Sequence, residues 1–153
     1  MGTDKRISGS PVVFRLDHDS GVPTYLQLVH QVEHALRLGY LKPGDQLPKV
    51  RDVVTALTIH PNTVLKAYKD LEAKGLAAGR PGQGTFITGT LEPVTLPELA
   101  GLRRELLSWL KAADEAGLDE AGVAALLANV TRDYYGGHAS RPGNENAGNE
   151  GVA

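Results

Sequence analysis

The feature that most constrains the fold is a pair of short amphipathic segments separated by only three residues. Pro48 opens the first segment and Pro61 opens the second, where a missing N–H costs nothing in a first helical turn. Apolar residues recur at helical spacing in both: Val50, Val53, Val54, Leu57, then Val64, Ala67, Tyr68 and Leu71. Because residues 58–60 leave room only for a tight connection, the pattern predicts a helix-turn-helix.

The flanking residues extend this unit on both sides. From Pro23 to Gly39 the apolar residues follow the helical period, so a further helix precedes the pair. After Leu71, two strand-like pieces, 76–79 and 85–88, enclose a glycine- and proline-rich stretch, which predicts a β-hairpin. A short strand is also predicted within 11–17, with Val12, Phe14 and Leu16 on one face. The predicted order of elements is that of a winged helix-turn-helix. It comprises a helix, a turn, two helices joined by a short turn, and a hairpin.

The C-terminal third is predicted to be helical, over 96–115 and 119–134. Two helices alone bury too little surface to be stable, so they must pack on the winged domain or on another chain. The candidate residues for this packing are leucines and a valine on these helices: Leu99, Leu102, Leu106, Leu110, Leu126, Leu127 and Val130. The predicted fold is mainly α with a small β-wing, divided into a flexible arm (1–10), a winged helix-turn-helix domain (11–90), a short helical dimerisation domain (91–135) and a disordered tail (136–153).

Composition excludes several classes of protein. The chain has no cysteine, which rules out disulfides, thiolate zinc sites and a cysteine nucleophile, and which fits a reducing cytoplasm. No apolar run approaches the ~18 residues that cross a bilayer, and no secretory signal is evident at the N-terminus. Although the net charge is −2, residues 41–88 carry seven basic and four acidic side chains, whereas 89–153 carry five and ten. A basic middle part is weak evidence for a nucleic-acid partner.

The helix opening at Pro61 carries the candidate functional face. Asn62, Lys66 and Lys69 fall on the side opposite its apolar stripe. Asparagine suits the adenine edge, and lysine suits a guanine edge or a phosphate. Thr63 lies near the helix N-terminus, where its hydroxyl and main-chain N–H favour a phosphate. Charge alone favours an ordinary solvated lysine face, and only the order of elements favours DNA binding.

Several short sequence segments occur together in an order and spacing typical of one protein family. They are 23–27, 39–48, 50–51, 61–64, 67–68, 71–72, 75–76 and 82–86. In order and spacing they resemble the GntR family of bacterial transcription regulators over about residues 12–88, and the short C-terminal part resembles its YtrA subfamily. The resemblance implies a homodimeric, DNA-binding repressor on a near-palindromic operator, commonly of an adjacent transporter operon and its own gene.

The resemblance also implies roles for individual residues. Arg51 matches a DNA-contacting arginine, and residues 60, 62, 63 and 66 match recognition-helix positions that touch bases and phosphates. Residues 82–84 match the tip of the wing, where small residues let the backbone approach the minor groove. The full predicted DNA-binding set is Lys49, Arg51, His60, Pro61, Asn62, Thr63, Lys66, Lys69, Gln83 and Gly84.

Three positions depart from the family pattern. Lys49 stands where a small capping residue is usual, so the cap of that helix is in doubt, although an ammonium there could reach a phosphate. Thr58 replaces a glycine of the helix-helix turn, and a left-handed conformation would be strained at threonine. His60 occupies the expected N-cap of the next helix. Because histidine caps poorly, it is either retained for a DNA contact or tolerated.

Other candidate sites are weaker. His30 and His34 stand one helical turn apart, but nothing points to a third ligand, so we expect a solvated pair rather than a metal site. Residues 82–85 lack the helix that must follow a phosphate-binding loop. No cofactor, catalytic pair or membrane partner is indicated. Two alternatives stay open: a protein-interaction scaffold with incidental DNA binding, and a sensor with a small-molecule pocket between its two domains.

Overall fold

The computed structural model describes residues 10–91 and 96–138. The chain divides into two compact units between Gly101 and Leu102. Its helices and strands run in the order α1 (Thr24–Arg37), α2 (Val50–Leu57), α3 (Pro61–Ala73), β1 (Ala77–Arg80), β2 (Gly84–Ile87), α4 (Leu96–Glu115) and α5 (Glu120–His138). The predicted class, mainly α with a small antiparallel sheet, is confirmed.

The core of the first unit forms where the apolar stripes of α1, α2 and α3 meet. Leu28, Val29 and Val32 of α1 are fully buried, as are Val64 and Leu71 of α3. Val53 of α2 and Leu47, just before α2, complete this layer. Burying such a side chain stabilises the fold by about 1.5–3 kcal/mol. The stripes therefore orient α3 with its polar side outward.

The wing is an antiparallel hairpin in which Ala77 pairs with Ile87 and Arg80 with Gly84. The chain preceding α2 joins it through backbone hydrogen bonds. Gly44 N–H donates to the Ile87 carbonyl at 2.9 Å, Leu47 N–H donates to the Thr85 carbonyl at 2.9 Å, and Ile87 N–H donates to the Asp45 carbonyl at 2.8 Å. The hairpin is thus fixed to the residues that lead into α2.

The strand predicted within 11–17 is wrong. The alternation is real, since Val12 and Phe14 are buried and Val13 is exposed, but this segment pairs with no strand. Instead two amide side chains of α1 bond its backbone. Gln31 Nε2 donates to the Arg15 carbonyl at 2.7 Å while Gln31 Oε1 accepts from Arg15 N–H at 2.9 Å, and Gln27 does the same for Asp17 at 2.9 Å in each direction. Side-chain amides replace a neighbouring strand.

The turn between α2 and α3 contains a strained residue. Thr58 adopts φ 53° and ψ 53°, the left-handed conformation anticipated at this position. Such a conformation costs an L-residue about 1–2 kcal/mol. The doubt about the cap of α2 is also justified, because α2 begins at Val50 and the Lys49 side chain makes no capping hydrogen bond.

The second unit contains most of α4 and all of α5. Gly117, just after the end of α4, has φ 90°, and Asp119 Oδ1 accepts a hydrogen bond from Gly122 N–H at 2.8 Å, which caps α5. Helix α5 continues to His138, so the predicted tail from residue 136 is wrong for its first three positions. The rest of the predicted tail, 139–153, and most of the predicted arm, 1–9, lie outside the described residues. No helix in the described part of the chain is both long and apolar enough to cross a membrane.

Candidate nucleic-acid interface

One side of α3 is exposed along its whole length. This outer face consists of Asn62, Leu65, Lys66, Lys69 and Ala73. The opposite side, which includes Val64, Ala67 and Leu71, is fully buried. The helix therefore presents one amide and two ammonium groups to its surroundings while its own packing is complete.

The start of α3 is capped by the residue expected to cap it poorly. His60 Nδ1 accepts a hydrogen bond from Asn62 N–H at 3.1 Å, which corrects the expectation from residue type. Pro61 occupies the first helical position, and Thr63, half-buried, donates its N–H to the His60 carbonyl at 3.0 Å. The imidazole ring of His60 remains exposed at the edge of the outer face.

A tyrosine from α1 lies beneath one of the cations. Lys66 Nζ is 4.0 Å from the centroid of the Tyr25 ring. Both side chains line a shallow groove of about 370 Å³, together with Thr24, Asn62 and Thr63. Since an ammonium over an aromatic face is attracted by the ring quadrupole, Tyr25 holds Lys66 in place. The sequence alone does not identify Tyr25 as part of this site, because only the packing of α1 on α3 brings Tyr25 and Lys66 together.

A second groove, of about 590 Å³, separates the start of α2 from the wing. Lys49 lines it on one side, and Arg80, Gln83 and Gly84 line it on the other. The Arg80 guanidinium carbon lies 4.4 Å from the centroid of the Phe86 ring, so this exposed cation is also held by an aromatic face. Arg51 is exposed in the first turn of α2.

A buried hydroxyl connects α3 to the start of α2. The Tyr68 hydroxyl donates a hydrogen bond to the Pro48 carbonyl oxygen. Burial raises the pKa of Tyr68 well above its ordinary range, because a phenolate would be poorly solvated there. Lys49 follows Pro48 directly and Arg51 comes two residues later, so the start of α2 that carries them is tied to α3.

The tip of the wing is supported by a residue that the sequence did not single out. Gln46 Nε2 donates to the Gln83 carbonyl at 2.9 Å. Gly84 has φ 124°, and a Cβ there would lie 2.7 Å from the same Gln46 nitrogen. The positive φ favours glycine, and a larger residue would also displace the Gln46 side chain, which explains the residue type at the predicted wing tip.

Not every cation of the basic stretch is available to a ligand. Lys74 Nζ lies 2.6 Å from Glu33 Oε1 and 3.3 Å from Asp70 Oδ2. The hydrogen bond to Glu33 raises the pKa of Lys74. This ion pair joins α3 to α1, and it removes Lys74 from the set of cations around the outer face.

The remaining predicted residues separate by exposure. On α4 and α5, Leu102, Leu106, Leu126, Leu127 and Val130 are exposed, and Leu99 and Leu110 are half-buried.

The rings of His30 and His34 are stacked with centroids 6.4 Å apart. Within residues 10–91 and 96–138, no three metal-ligating side chains gather into one site.

The family model described as "Bacterial regulatory proteins, gntR family" matches residues 24–87. The HTH-type transcriptional repressor YtrA of Bacillus subtilis is 32% identical over 127 residues, which cover 82% of this chain and 97% of that protein. The HTH-type transcriptional regulator Rv1152 of Mycobacterium tuberculosis is 42% identical over 119 residues, covering 78% and 94%.

A solved structure shares this fold. The crystal structure of a transcriptional antiterminator from Listeria monocytogenes EGD-e is similar with a TM-score of 0.51 and 26% identity. The similarity covers 81% of this chain and 93% of that one. It therefore extends beyond the residues that the family model matches.

Proposed function

This chain belongs to the GntR family of bacterial regulatory proteins, and we propose that it acts as a homodimeric repressor on a near-palindromic operator. Its relatives are transcription regulators, so the chain is a DNA-binding regulator with a winged helix-turn-helix and not an enzyme. The observation that carries the proposal is the outer face of α3, which offers Asn62, Lys66 and Lys69 from a helix whose other side is buried.

The chemistry of the surrounding residues supports major-groove binding by α3. Asn62 matches the adenine edge, and Arg51 matches the paired acceptors of guanine. Lys49, Lys69 and Arg80 are exposed cations suited to phosphates on either side. The wing would reach the adjacent minor groove through Gln83 and Gly84.

Dimerisation is supported by the apolar surface of the second unit. Leu102 is 58% exposed, Leu106 is 47% exposed and Val130 is 53% exposed. Side chains of this type at helical spacing favour helix-to-helix association between two copies. A twofold dimer would hold two α3 helices about one DNA turn (~34 Å), or a multiple, apart, and would require an operator with matching symmetry.

Repression would follow from occupancy. A dimer bound over a promoter excludes RNA polymerase, and a small-molecule effector or a partner would release it by lowering its affinity. The targets we propose are the chain's own gene and an adjacent transporter operon, which would place the protein at the nucleoid in the cytoplasm. The repressor named above, 32% identical to this chain, supports the sign of the regulation.

A footprint of the purified protein on the promoter of its own operon tests the proposal. We expect two protected half-sites related by a twofold axis, and a preference over random DNA by orders of magnitude. Leu106→Asp should produce monomers at micromolar concentration in sedimentation velocity, whereas Ser108→Asp, on the same helix, should stay dimeric. Equal affinity for random DNA would support a scaffold role instead, and a monomeric wild type would overturn the dimer.

A further inference from the structure

Leu65 is an aliphatic side chain on the outer face of α3. It is 42% exposed, whereas the other branched aliphatic residues of this helix, Val64 and Leu71, are fully buried. A single exposed leucine on an ordinary surface needs no explanation. Here its neighbours on the same face are Asn62, Lys66 and Lys69, which are the groups suited to DNA.

The position of Leu65 relative to these groups is fixed by helix geometry. At about 100° per residue, Leu65 lies about 60° from Asn62 and about 40° from Lys69 around the helix axis. Lys66 lies on the other flank, where it contacts Tyr25. Leu65 also lies between Asn62 and Lys69 along the helix axis, so a duplex that contacts both would pass beside Leu65.

Only one group on the base edges of the major groove is a chemical match for leucine. The edges present hydrogen-bonding nitrogen and oxygen atoms, and burying these against an aliphatic chain leaves them unpaired. The C5-methyl group of thymine is apolar and projects into the same groove. Contact between the two removes apolar surface from water on both sides.

We propose that Leu65 is a specificity-determining residue that packs on the C5-methyl of one thymine in each half-site. The assignment rests on the proposed insertion of α3 into the major groove. The helix rise of 1.5 Å per residue puts Leu65 about 4.5 Å along the axis from Asn62. Base pairs repeat every ~3.4 Å, so this thymine lies one or two base pairs from the base that Asn62 contacts.

Replacing thymine by deoxyuridine removes only the methyl group, which makes the test direct. Each thymine of the footprinted operator is replaced in turn, and affinity is measured by fluorescence anisotropy. At one thymine per half-site we expect wild-type affinity to fall about fourfold, the effect of one buried carbon, and elsewhere to stay unchanged. With Leu65→Ala the same replacement should have no effect, and with Leu65→Met the loss should persist.

Lys69→Ala is the matched control, because it should weaken thymine and deoxyuridine operators equally. The assignment is overturned if the wild type prefers its operator but no deoxyuridine weakens binding, or if Leu65→Ala keeps the full loss. Either result leaves DNA binding by α3 intact. A wild type without any preference for its operator overturns the proposed function, and this assignment with it. Matching thermal midpoints for the variants would show that each one is folded.

Discussion

The ammonium of Lys66 lies over the face of the Tyr25 ring, with Nζ 4.0 Å from the ring centroid. The two residues come from different helices, α3 and α1. A flexible lysine side chain loses rotamer freedom when it binds a phosphate or a base. Here part of that entropy is lost on folding, so if Lys66 binds DNA as proposed, its ammonium would already be in place.

The contact requires the ring of Tyr25 and not its hydroxyl. We expect Tyr25→Leu to weaken operator binding by about 0.5–1 kcal/mol, the usual strength of an exposed cation–π contact. Tyr25→Phe keeps the ring, so the Lys66 methylene protons should retain their ring-current shift in NMR spectra. If the leucine variant also retains that shift, the contact does not exist in solution.

Arg51 is exposed and, among the described residues, its guanidinium has no hydrogen bond or ion pair. Arg51→Ala should therefore leave the thermal midpoint nearly unchanged. If Arg51 pairs with guanine, specific binding should weaken by about 1–3 kcal/mol. Arg37→Ala, which removes the same charge from the last turn of α1, is the control. Gel-shift titration that finds equal affinities for both variants would contradict the assignment.

Tyr68→Phe removes the hydroxyl that donates to the Pro48 carbonyl. We expect a loss of about 1–3 kcal/mol in the free energy of unfolding, because a buried acceptor loses its partner. The free energy of unfolding of this variant should also depend less on pH in the alkaline range. The folded-state pKa of Tyr68 is raised, so above about pH 10 the unfolded chain releases a proton that the native chain keeps.

The contribution of Tyr68 to the free energy of unfolding should accordingly be fully present below about pH 10 and be lost as the pH rises further. In Tyr68→Phe the free energy of unfolding should fall less steeply over the same range. Urea unfolding between pH 8 and pH 11 measures both slopes. Equal slopes for the two proteins would show that Tyr68 is not protected from titration.

Thr58 is a non-glycine residue with positive φ in the helix-helix turn. Thr58→Gly should raise the free energy of unfolding by about 0.5–1 kcal/mol, since relief of the left-handed strain exceeds the added chain entropy. Thr55→Gly, inside α2, should lower it instead. Chemical denaturation that finds no gain at residue 58 would mean that the turn relaxes in solution.

The wing tip depends on Gln46, whose side chain bonds the backbone of Gln83. Gln46→Ala should reduce operator affinity by up to about fivefold by loosening the tip, because one such hydrogen bond stabilises by about 1 kcal/mol. Gln83→Ala keeps the bonded carbonyl and removes only the side chain. We expect faster amide hydrogen exchange in the hairpin for Gln46→Ala but not for Gln83→Ala. If both variants exchange at similar rates, the loss of operator affinity comes from a lost DNA contact and not from a looser wing tip.

The helices of the first unit could be predicted from the sequence because each has a continuous apolar stripe and a stop signal such as Gly39. The segment 11–17 could not, because alternation records which side is buried and not what pairs with the backbone. Gln27 and Gln31 satisfy that backbone from α1, and no strand-forming pattern announces such a partner.

The candidate site divides in the same way. Its exposed polar residues, such as Asn62 and Lys69, follow from helical periodicity together with family resemblance. Tyr25 and Gln46 act through contacts with residues far along the chain, and a local pattern does not contain that information. His60 was predicted at the N-cap, but not its capping hydrogen bond, since imidazole is an uncommon cap and its geometry depends on the rotamer.

The hydrogen bond from Tyr68 to Pro48 has a consequence for how the protein tolerates imperfect operators. It ties Pro48, the residue before Lys49, to α3. The start of α2, with Lys49 and Arg51, is thereby held against the helix that carries Asn62 and Leu65. This hydrogen bond should restrain relative motion of the two sets of groups. When half-sites deviate in groove width or base step, the misfit must be absorbed by the duplex, so affinity should track the bendability of bases that no side chain touches.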